Sequence, residues 1–235
     1  GQKLFDYVNI AHNQLVKGEN EVGRAISVEG GTIYIGATVT ALHGFLFDFL
    51  DNFHNKYPSV KIKLNTGSSN GMIDMLKNGI VDLAFVSTPC NTPKPLNCIK
   101  IAPFNDILIA GKGFSQLKDK PFTLADLKNY PFVCLRHSMQ LRQFIDGIFA
   151  ENDLAVTPDI EADGADLLVP MISHNFGLGL VPEGMAEEAI ARGEVFRISL
   201  KEELPERHIC MITDPNHPHT NASRELRKMI TESLK

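Results

Sequence analysis

Hydroxyl side chains stand where the first predicted strand gives way to a helix. Thr38 and Thr40 follow the apolar stretch 32–36, and leucine and phenylalanine then recur at helical spacing. One interpretation is that Thr40 caps the helix by accepting a hydrogen bond from a backbone amide. The other is that the free amides at the helix start, together with these hydroxyls, bind a small anion such as a carboxylate.

Two later segments repeat this arrangement of polar residues between a strand and a helix. They are Leu135-Arg136-His137-Ser138-Met139-Gln140 and Asp163-Gly164-Ala165. Capping explains each segment alone, but three helix starts at matching positions predict a ligand site in which neutral hydroxyls fix the orientation. Arg136 and Arg142 stand near the second helix start, where they could pair with a carboxylate or belong to a solvated surface.

A serine within Gly67-Ser68-Ser69-Asn70-Gly71 matches the G-x-S-x-G pattern of hydrolases with a nucleophile elbow. That elbow follows a central strand buried on both faces, whereas Lys61 and Lys63 indicate a strand with one wet face or at a sheet edge. We therefore interpret the segment as a polar loop that caps the next helix. A hydrolase that uses Ser69 stays a minor alternative.

Metal, thiol and cofactor chemistry are not predicted. His217 and His219 form the only close histidine pair, and no cysteine or carboxylate set gives them metal-binding spacing. Cys90 and Cys98 flank a proline-rich loop; they could form a reversible disulfide, but we interpret them as two incidental thiols. Cys134 lies within a predicted strand and is expected in the core.

The composition is that of a globular protein. The 235 residues are 43% hydrophobic and 22% charged, enough for one large domain or two small ones. The net charge of -5 is unlike that of a chain that reads nucleic acid by itself, because such chains are usually basic. No apolar run reaches membrane-spanning length, and no secretion signal follows Gly1. With four cysteines, a reducing, cytoplasmic compartment is expected.

Predicted strands and helices alternate from residue 32 to the end of the chain. Such alternation is typical of α/β folds with parallel sheets and right-handed crossovers. Gly111-Lys112-Gly113 separates two series and is interpreted as a hinge. We expect two lobes with a ligand cleft between them, because ligands bind beyond the carboxyl ends of the strands in open α/β sheets.

The first segment predicts a helix with a narrow apolar stripe. Its positions follow a four-three-four rhythm, with Gly18 on the missing step: Leu4, Val8, Ala11, Leu15 and Val22. A single helix cannot bury such a stripe, so the stripe either docks on its own domain or pairs with a second chain. The start at Gly1 rather than methionine suggests a trimmed chain.

Five short segments, taken in their order and with their spacing along the chain, carry a resemblance to a known protein family. They are Gly31-Thr32-Ile33-Tyr34-Ile35-Gly36, Phe53-His54-Asn55-Lys56-Tyr57-Pro58-Ser59-Val60, Asn78-Gly79-Ile80-Val81-Asp82-Leu83-Ala84-Phe85, Leu124-Ala125-Asp126-Leu127 and Phe176-Gly177-Leu178-Gly179-Leu180-Val181-Pro182. Together they resemble the effector-binding domain of LysR-type transcriptional regulators. The resemblance runs from about residue 30 to the end, and the first helix resembles the linker helix of that family.

The resemblance implies an α/β fold of two Rossmann-like lobes of periplasmic-binding-protein type II, preceded by a linker helix. It implies a linker and dimerisation helix over 1–29, regulatory lobe I over 30–112 plus 212–235, and regulatory lobe II over 113–211. It also implies a homodimer or homotetramer that contacts DNA only through an N-terminal domain absent from this chain, with no membrane partner and no cofactor.

The resemblance places the effector contacts at strand-to-helix junctions in both lobes. The implied contacts are Thr38, Val39, Thr40, Ser87, Thr88, Ser138, Met139, Gly164 and Ala165. Peroxide-sensing members carry a reactive cysteine near the position of Ser138, and this chain has none there. Many members place a hydroxyl or amide side chain where this chain has Gly164.

We therefore expect a bacterial regulatory domain that performs no reaction and senses a small, anionic metabolite in the cleft. The alternative is a type II solute-binding protein that delivers a ligand to a transporter, since the fold and cleft would be shared. That protein would lack the first helix, be exported and stay monomeric, so the oligomeric state distinguishes the two classes.

Overall fold

The structure is a computed structural model that describes residues 1, 4, 7, 8, 11, 12, 15, 18 and 31–234. It divides into two compact units. Unit 1 comprises Gly1–Ala102 and His208–Lys235, and unit 2 comprises Pro103–Arg207. The α/β fold class predicted from the sequence is confirmed.

From residue 32, strands and helices alternate along most of the chain. Strands β1 to β10 span Thr32–Ala37, Lys61–Thr66, Leu83–Ser87, Asn97–Phe104, Asp106–Gly111, Val133–Leu135, Ile160–Ala162, Leu178–Pro182, Val195–Ile198 and Arg207–Thr213. Helices α1 to α7 span Val39–Ala41, Phe47–Lys56, Ser69–Lys77, Gln140–Glu151, Leu168–Ser173, Glu183–Ala191 and Asn221–Ser233. A π-helical turn, Leu42–Leu46, joins α1 to α2. Short 3-10 helices span Lys112–Leu117, Leu124–Asn129 and Ala165–Leu167.

Unit 1 contains a five-stranded sheet in the order β2-β1-β3-β10-β4. β1 is parallel to β2 and β3, whereas β10 runs antiparallel to β3. Lys61 and Lys63 are exposed on β2, which is an edge strand as their alternation predicted. The all-parallel expectation is wrong for β10 because the chain re-enters this sheet from unit 2, without a helical crossover that would fix a parallel direction.

The central strand of this sheet is covered on both faces. Alternate residues of a strand face opposite sides. Ala84 and Val86 of β3 pack with apolar side chains of α3 in one cluster, and Leu83 and Phe85 are fully buried as well. Because β3 is buried on both faces, its carboxyl end is held in a fixed place.

Unit 2 contains an antiparallel sheet in the order β8-β5-β9 and a parallel pair, β6 and β7. An isolated parallel bridge between Phe132 and Leu178 connects the two. Buried side chains from both sheets and from α4 and α5 form one apolar cluster, among them Leu108, Val133 and Ile172. β5 also departs from the parallel expectation, since it runs antiparallel to both of its neighbours, β8 and β9.

Two glycines lie where a hinge was predicted. Gly111 ends β5, and a Cβ atom there would collide with the backbone oxygen of Ile172. The amide of Gly113 donates to Oδ1 of Asn175 at 2.6 Å. Both glycines therefore permit a close approach between the end of β5 and the end of α5 inside unit 2.

The boundaries of the units differ from the predicted lobe boundaries after residues 112 and 211. The first falls between Ala102 and Pro103, because β5 pairs with β8 and β9 of unit 2. The second falls between Arg207 and His208, because β10 pairs with β3 of unit 1. The assignment of regulatory lobes to the chain stays a prediction.

A buried ion pair lies within unit 2, where β5 begins. Arg207 is 2% exposed, and its Nη1 donates to both carboxylate oxygens of Asp106, at 3.1 and 3.0 Å. The ring centroids of Phe104 and Phe144 lie 4.7 and 5.2 Å from the guanidinium carbon, distances typical of cation–π contacts. The pair fastens the first residue of β10 to the first residue of β5.

The described residues from Leu4 to Gly18 are helical, and their apolar stripe is exposed. Leu4, Val8 and Leu15 are 70%, 56% and 67% exposed, and Ala11 is exposed as well. The stripe therefore does not dock on the described part of its own chain. Val22 lies outside the described residues. Among all the residues that the structure describes, no helix combines the length and the apolar content needed to cross a bilayer.

Candidate functional site

The first group of predicted contacts lies at one edge of the unit 1 sheet. β1 and β3 are parallel neighbours whose register pairs Ala37 with Phe85. The amide of Thr38 continues the pairing by donating to the Phe85 carbonyl at 2.9 Å. The segments that follow the two strands are thereby brought together. We refer to Thr38, Val39, Thr40, Ser87 and Thr88 as the first half-site.

Thr38, and not Thr40, caps the helix. Oγ1 of Thr38 accepts a hydrogen bond from the Ala41 amide at 3.2 Å, and the Thr38 carbonyl accepts one from Leu42 at 3.0 Å. The interpretation of Thr40 as the cap is wrong because α1 begins at Val39, so Thr40 already lies inside the helix. Thr40 lies in the first turn, where its side chain is buried.

A π-helical turn widens the helix directly after this start. The Phe47 amide donates to the Leu42 carbonyl, five residues earlier. A Cβ atom on Gly44 would lie 3.0 Å from Cδ1 of Ile209, so glycine lets the widened turn approach β10. Such turns often occur at functional sites, and the hydrophobic spacing of the sequence did not predict this one.

Backbone pairing also fixes the second segment of the first half-site. The Thr88 amide donates to the His208 carbonyl, and the His208 amide donates to Oγ1 of Thr88, both at 2.8 Å. Ser87 is buried at the last position of β3, opposite Ile209 of β10. The hydroxyl of Thr88 therefore has a structural partner before any ligand binds.

The serine motif in the same unit acts as a helix cap. Oγ of Ser68 accepts a hydrogen bond from the Gly71 amide at 3.2 Å, at the start of α3. The preceding strand, β2, lies at the edge of the sheet and not at its centre. The capping prediction is confirmed, and Ser69 lacks the central-strand setting of a nucleophile elbow.

The second group of predicted contacts lies beyond a parallel strand pair in unit 2. The register of β6 and β7 pairs Leu135 with Ala162, and the Arg136 amide donates to the Ala162 carbonyl at 3.1 Å. The loops that follow these two strands are therefore neighbours. We refer to Ser138, Met139, Gly164 and Ala165 as the second half-site.

The start of α4 within this half-site carries little internal capping. Met139 occupies the N-cap position without a side-chain hydrogen bond, and the first turn contains no acidic residue. Oε1 of Gln140 is buried and has no hydrogen-bond partner in the described part of the chain. Gln140 was not among the predicted contacts. Its place at a strand-to-helix junction is a signal from which it could have been predicted.

The guanidinium of Arg142 is bound inside unit 2. Nε lies 2.7 Å from Asp146, and Nη1 lies 2.7 Å from Glu161 and 3.1 Å from the carbonyl that ends β6. Its side chain is 9% exposed, so it is not solvated surface. Arg142 links α4, β6 and β7 beside the second half-site. Arg136 pairs instead with Asp163, at 3.1 Å, on the surface.

Three thiols form the one group within the described residues that is close enough to share a metal ion. They belong to Cys90, Cys98 and Cys210, which are not members of either half-site. Cys134 is a core residue, as predicted, and burial raises its pKa to about 12.

Known proteins similar to this chain are transcriptional regulators. A family model described as LysR substrate binding domain matches residues 27–235. The HTH-type transcriptional activator IlvY of Haemophilus influenzae is 28% identical over 176 residues, which make up 72% of this chain and 59% of that protein. The chain spans less than two thirds of the length of this activator and of a probable RuBisCO transcriptional regulator of Cyanophora paradoxa, another curated relative.

Two solved structures have the same fold as this chain. The effector binding domain of QuiR in complex with shikimate has a TM-score of 0.76 and 20% identity, covering 88% of this chain and 98% of that chain. The regulatory domain of CcmR from Synechocystis PCC6803 in complex with 2-PG has a TM-score of 0.75 and 16% identity, covering 87% and 97%.

Proposed function

This chain belongs to the LysR substrate-binding domain family, and we propose that it is the effector-binding part of a transcriptional regulator that senses a small, anionic metabolite. The family match over residues 27–235 and the regulators among its curated relatives support this function. Both solved structures described above hold a small molecule. The family match disfavours the solute-binding protein that the shared fold had left as the alternative.

The observation that carries this proposal is the parallel pairing of strand ends within each unit. In unit 1, β1 and β3 end beside each other at the first half-site, and in unit 2, β6 and β7 do so at the second. α1 and α4 begin there without an acidic residue in the first turn, so their positive ends favour an anion. We propose that a strand end of this kind binds the anionic group of the effector.

A thermal-shift screen of the purified chain against small carboxylates, amino acids, sugar phosphates and aromatic acids, with uncharged sugars as a comparison set, tests this function. A ligand present at about one hundred times its dissociation constant adds roughly 2.7 kcal/mol to the free energy of unfolding. We expect at least one anionic compound to raise the melting temperature. A screen in which only uncharged compounds stabilise the chain would contradict the anionic class.

Thr40→Val is expected to weaken binding of a compound found in that screen by about tenfold, roughly 1.4 kcal/mol, because valine keeps the volume of the buried side chain but removes its hydroxyl. Isothermal titration calorimetry measures the loss, and circular dichroism confirms that the variant is folded. Thr157→Val, at an exposed position of unit 2, is the matched control. Equal affinities in all three proteins would contradict the placement of Thr40 in the site.

We propose that the effector acts by biasing the arrangement of subunits and that the chain catalyses no reaction. A ligand shifts such an equilibrium only when it binds one arrangement more tightly than the other. The net charge of -5 is unlike that of a chain that binds DNA by itself, and the chain spans only part of the length of its relatives. Both facts support DNA contacts through another part of the regulator. A regulator of this class would work in the cytoplasm, where its DNA lies.

The apolar stripe of the N-terminal segment, formed by Leu4, Val8, Ala11 and Leu15, is exposed. This exposure supports a homo-oligomer, and we propose that a second copy covers the stripe. Val8→Glu combined with Leu15→Glu places two charges in the apolar seam and is expected to weaken the dimer by at least tenfold, because a buried, unpaired carboxylate is costly. Size-exclusion chromatography with light scattering, over a range of concentrations, measures the change.

The charge-matched control for this pair is Ser115→Glu with Gln116→Glu, which adds the same two charges at exposed positions of unit 2. The control is expected to keep the mass of the native chain. A native chain that is monomeric at all concentrations, or a stripe variant with unchanged mass, would contradict the proposed interface.

A further inference from the structure

Three neighbouring strands of unit 1 bring three cysteines together. Cys210 lies in β10 and Cys98 in the adjacent β4, while Cys90 lies in the loop that follows β3 on the other side of β10. The three Sγ atoms all lie within 4.8 Å of one another. Local sequence patterns contain no sign of this group, because Cys210 belongs to a distant part of the chain and Cys90 and Cys98 alone suggested incidental thiols.

Backbone pairing holds these cysteines in place. The register of β10 with β3 pairs Cys210 with Val86. Two hydrogen bonds between Thr88 and His208 fasten the start of the loop that carries Cys90. The strand order therefore presents the thiols as a preformed group, with little ordering left for a ligand to impose.

The cluster lies at the border between the core and the solvent. Cys210 is buried in an apolar cluster with Val86 and Leu96, and Cys90 is partly buried against the same cluster. Cys98 is exposed. An ion can therefore reach the group from the side of Cys98 and meet its sulfur donors at the edge of an apolar environment.

The donor set is chemically uniform. Within the described residues, the group contains neither histidine nor carboxylate. Thiolate sulfur selects soft ions such as Cu(I) and Zn(II), whereas Mg²⁺ and Ca²⁺ require oxygen ligands. A set made of sulfur alone therefore favours a soft ion.

The spacing of the sulfurs suits a metal ion better than a disulfide. Metal–sulfur bonds of about 2.3 Å in a trigonal arrangement place the sulfur atoms about 4 Å apart. Sulfurs that already lie within 4.8 Å of one another need to contract by less than about 1 Å. A disulfide would bring only two of them to about 2 Å and leave the third thiol unused.

We propose that Cys90, Cys98 and Cys210 bind one soft, thiophilic metal ion through three thiolates. Binding breaks three S–H bonds, forms three metal–sulfur bonds and releases the thiol protons to the solvent, without a change of oxidation state. Zn(II) and Cu(I) share this chemistry, and Zn(II) would complete its four-coordinate shell with water.

Metal uptake by the full, reduced chain tests the proposal. Zn(II), Cu(I) and Mg(II) are added separately under anaerobic conditions, and native mass spectrometry counts the ions bound to each chain. We expect one Zn(II) or one Cu(I) per chain and no Mg(II). Competition between the first two ions and chelators of known affinity identifies which ion the site prefers.

Single variants assign the ligands. Cys98→Ser and Cys90→Ser, at an exposed and a partly buried position, are each expected to lower the affinity at least a hundredfold, since loss of even an outer-shell partner costs ten- to a hundredfold. Cys134→Ala, which removes the fourth cysteine of the chain without placing a polar group in the core, is the control and is expected to keep the affinity. Cys210 is buried, so the two other positions keep the test independent of folding.

Three results would overturn the proposal. The first is retention of the ion by the double variant Cys90→Ser, Cys98→Ser. The second is equal loss of the ion in a folded Cys134→Ala variant. The third is a reduced native chain that retains neither ion, whether or not it forms a disulfide when oxidant is added.

Discussion

Arg207→Met is expected to lower the free energy of unfolding by about 3–5 kcal/mol, the cost of removing one partner of a buried ion pair. The substitution leaves the Asp106 carboxylate buried without its counter-charge and removes the guanidinium from between the rings of Phe104 and Phe144. Urea denaturation of the purified chain measures the loss. Arg192→Met, which breaks an exposed pair with Glu194, is the control and is expected to leave the midpoint unchanged.

The loss is expected to depend on pH, with a sign set by Asp106. Burial raises the pKa of Asp106, and the charge of Arg207 opposes that rise. Removal of Arg207 leaves burial unopposed, so the pKa of Asp106 rises further in the folded variant. A raised folded pKa stabilises the protein below the unfolded pKa, and this stabilisation disappears as the pH rises through the folded pKa. The deficit of Arg207→Met should therefore be smaller at acidic pH than at neutral and alkaline pH.

The double variant Asp106→Leu, Arg207→Met separates loss of the pair from loss of packing. Replacement of both charges by apolar groups leaves no unpaired charge in the core, so most of the lost stability is expected to return. A double variant as unstable as Arg207→Met alone would show that the pair acts through packing. A pH-independent deficit would contradict the role given to the Asp106 carboxylate.

This ion pair also shows where sequence reasoning reaches its limit. The two partners lie 101 residues apart, and neither belongs to a local pattern that marks it as buried. β4 escaped prediction for a related reason. Of its eight residues only Ile101 is buried, so the alternation that reveals a strand is weak, and pairing beside β10 fixes its conformation instead.

The strand-to-helix junctions were more accessible to prediction than the contacts of the core. A half-site at a strand-to-helix junction is encoded locally, by a hydroxyl between an apolar run and a helical repeat, and parallel strands bring such junctions to one edge. The helix start itself was misplaced, because Thr38 and Thr40 are both good N-cap residues and only the backbone shows that Ala41 donates to Thr38. Contacts such as those between Cys90 and Cys210 depend on strand order, which local patterns do not encode.

Arg142→Met is expected to lower the free energy of unfolding by about 2–3 kcal/mol, less than Arg207→Met. Hydrogen bonds to charged groups contribute about 1.5–3 kcal/mol each, but the side chains of Asp146 and Glu161 are 29% and 46% exposed, so water compensates part of the loss. Urea denaturation measures the change. Arg136→Met, at the exposed pair with Asp163, is the matched control and is expected to stay close to the native chain.

The same substitution tests whether Arg142 positions the second half-site or binds the effector directly. As a positioning residue it holds α4 beside β6 and β7, so Arg142→Met should speed amide hydrogen exchange over residues 136–140 and 163–165 in the free protein. The affinity of the same variant for a compound found in the screen should also fall. A direct ligand contact would lose affinity without faster exchange. Because three internal partners already occupy the guanidinium, we expect the first result, and an unchanged exchange pattern would contradict the positioning role.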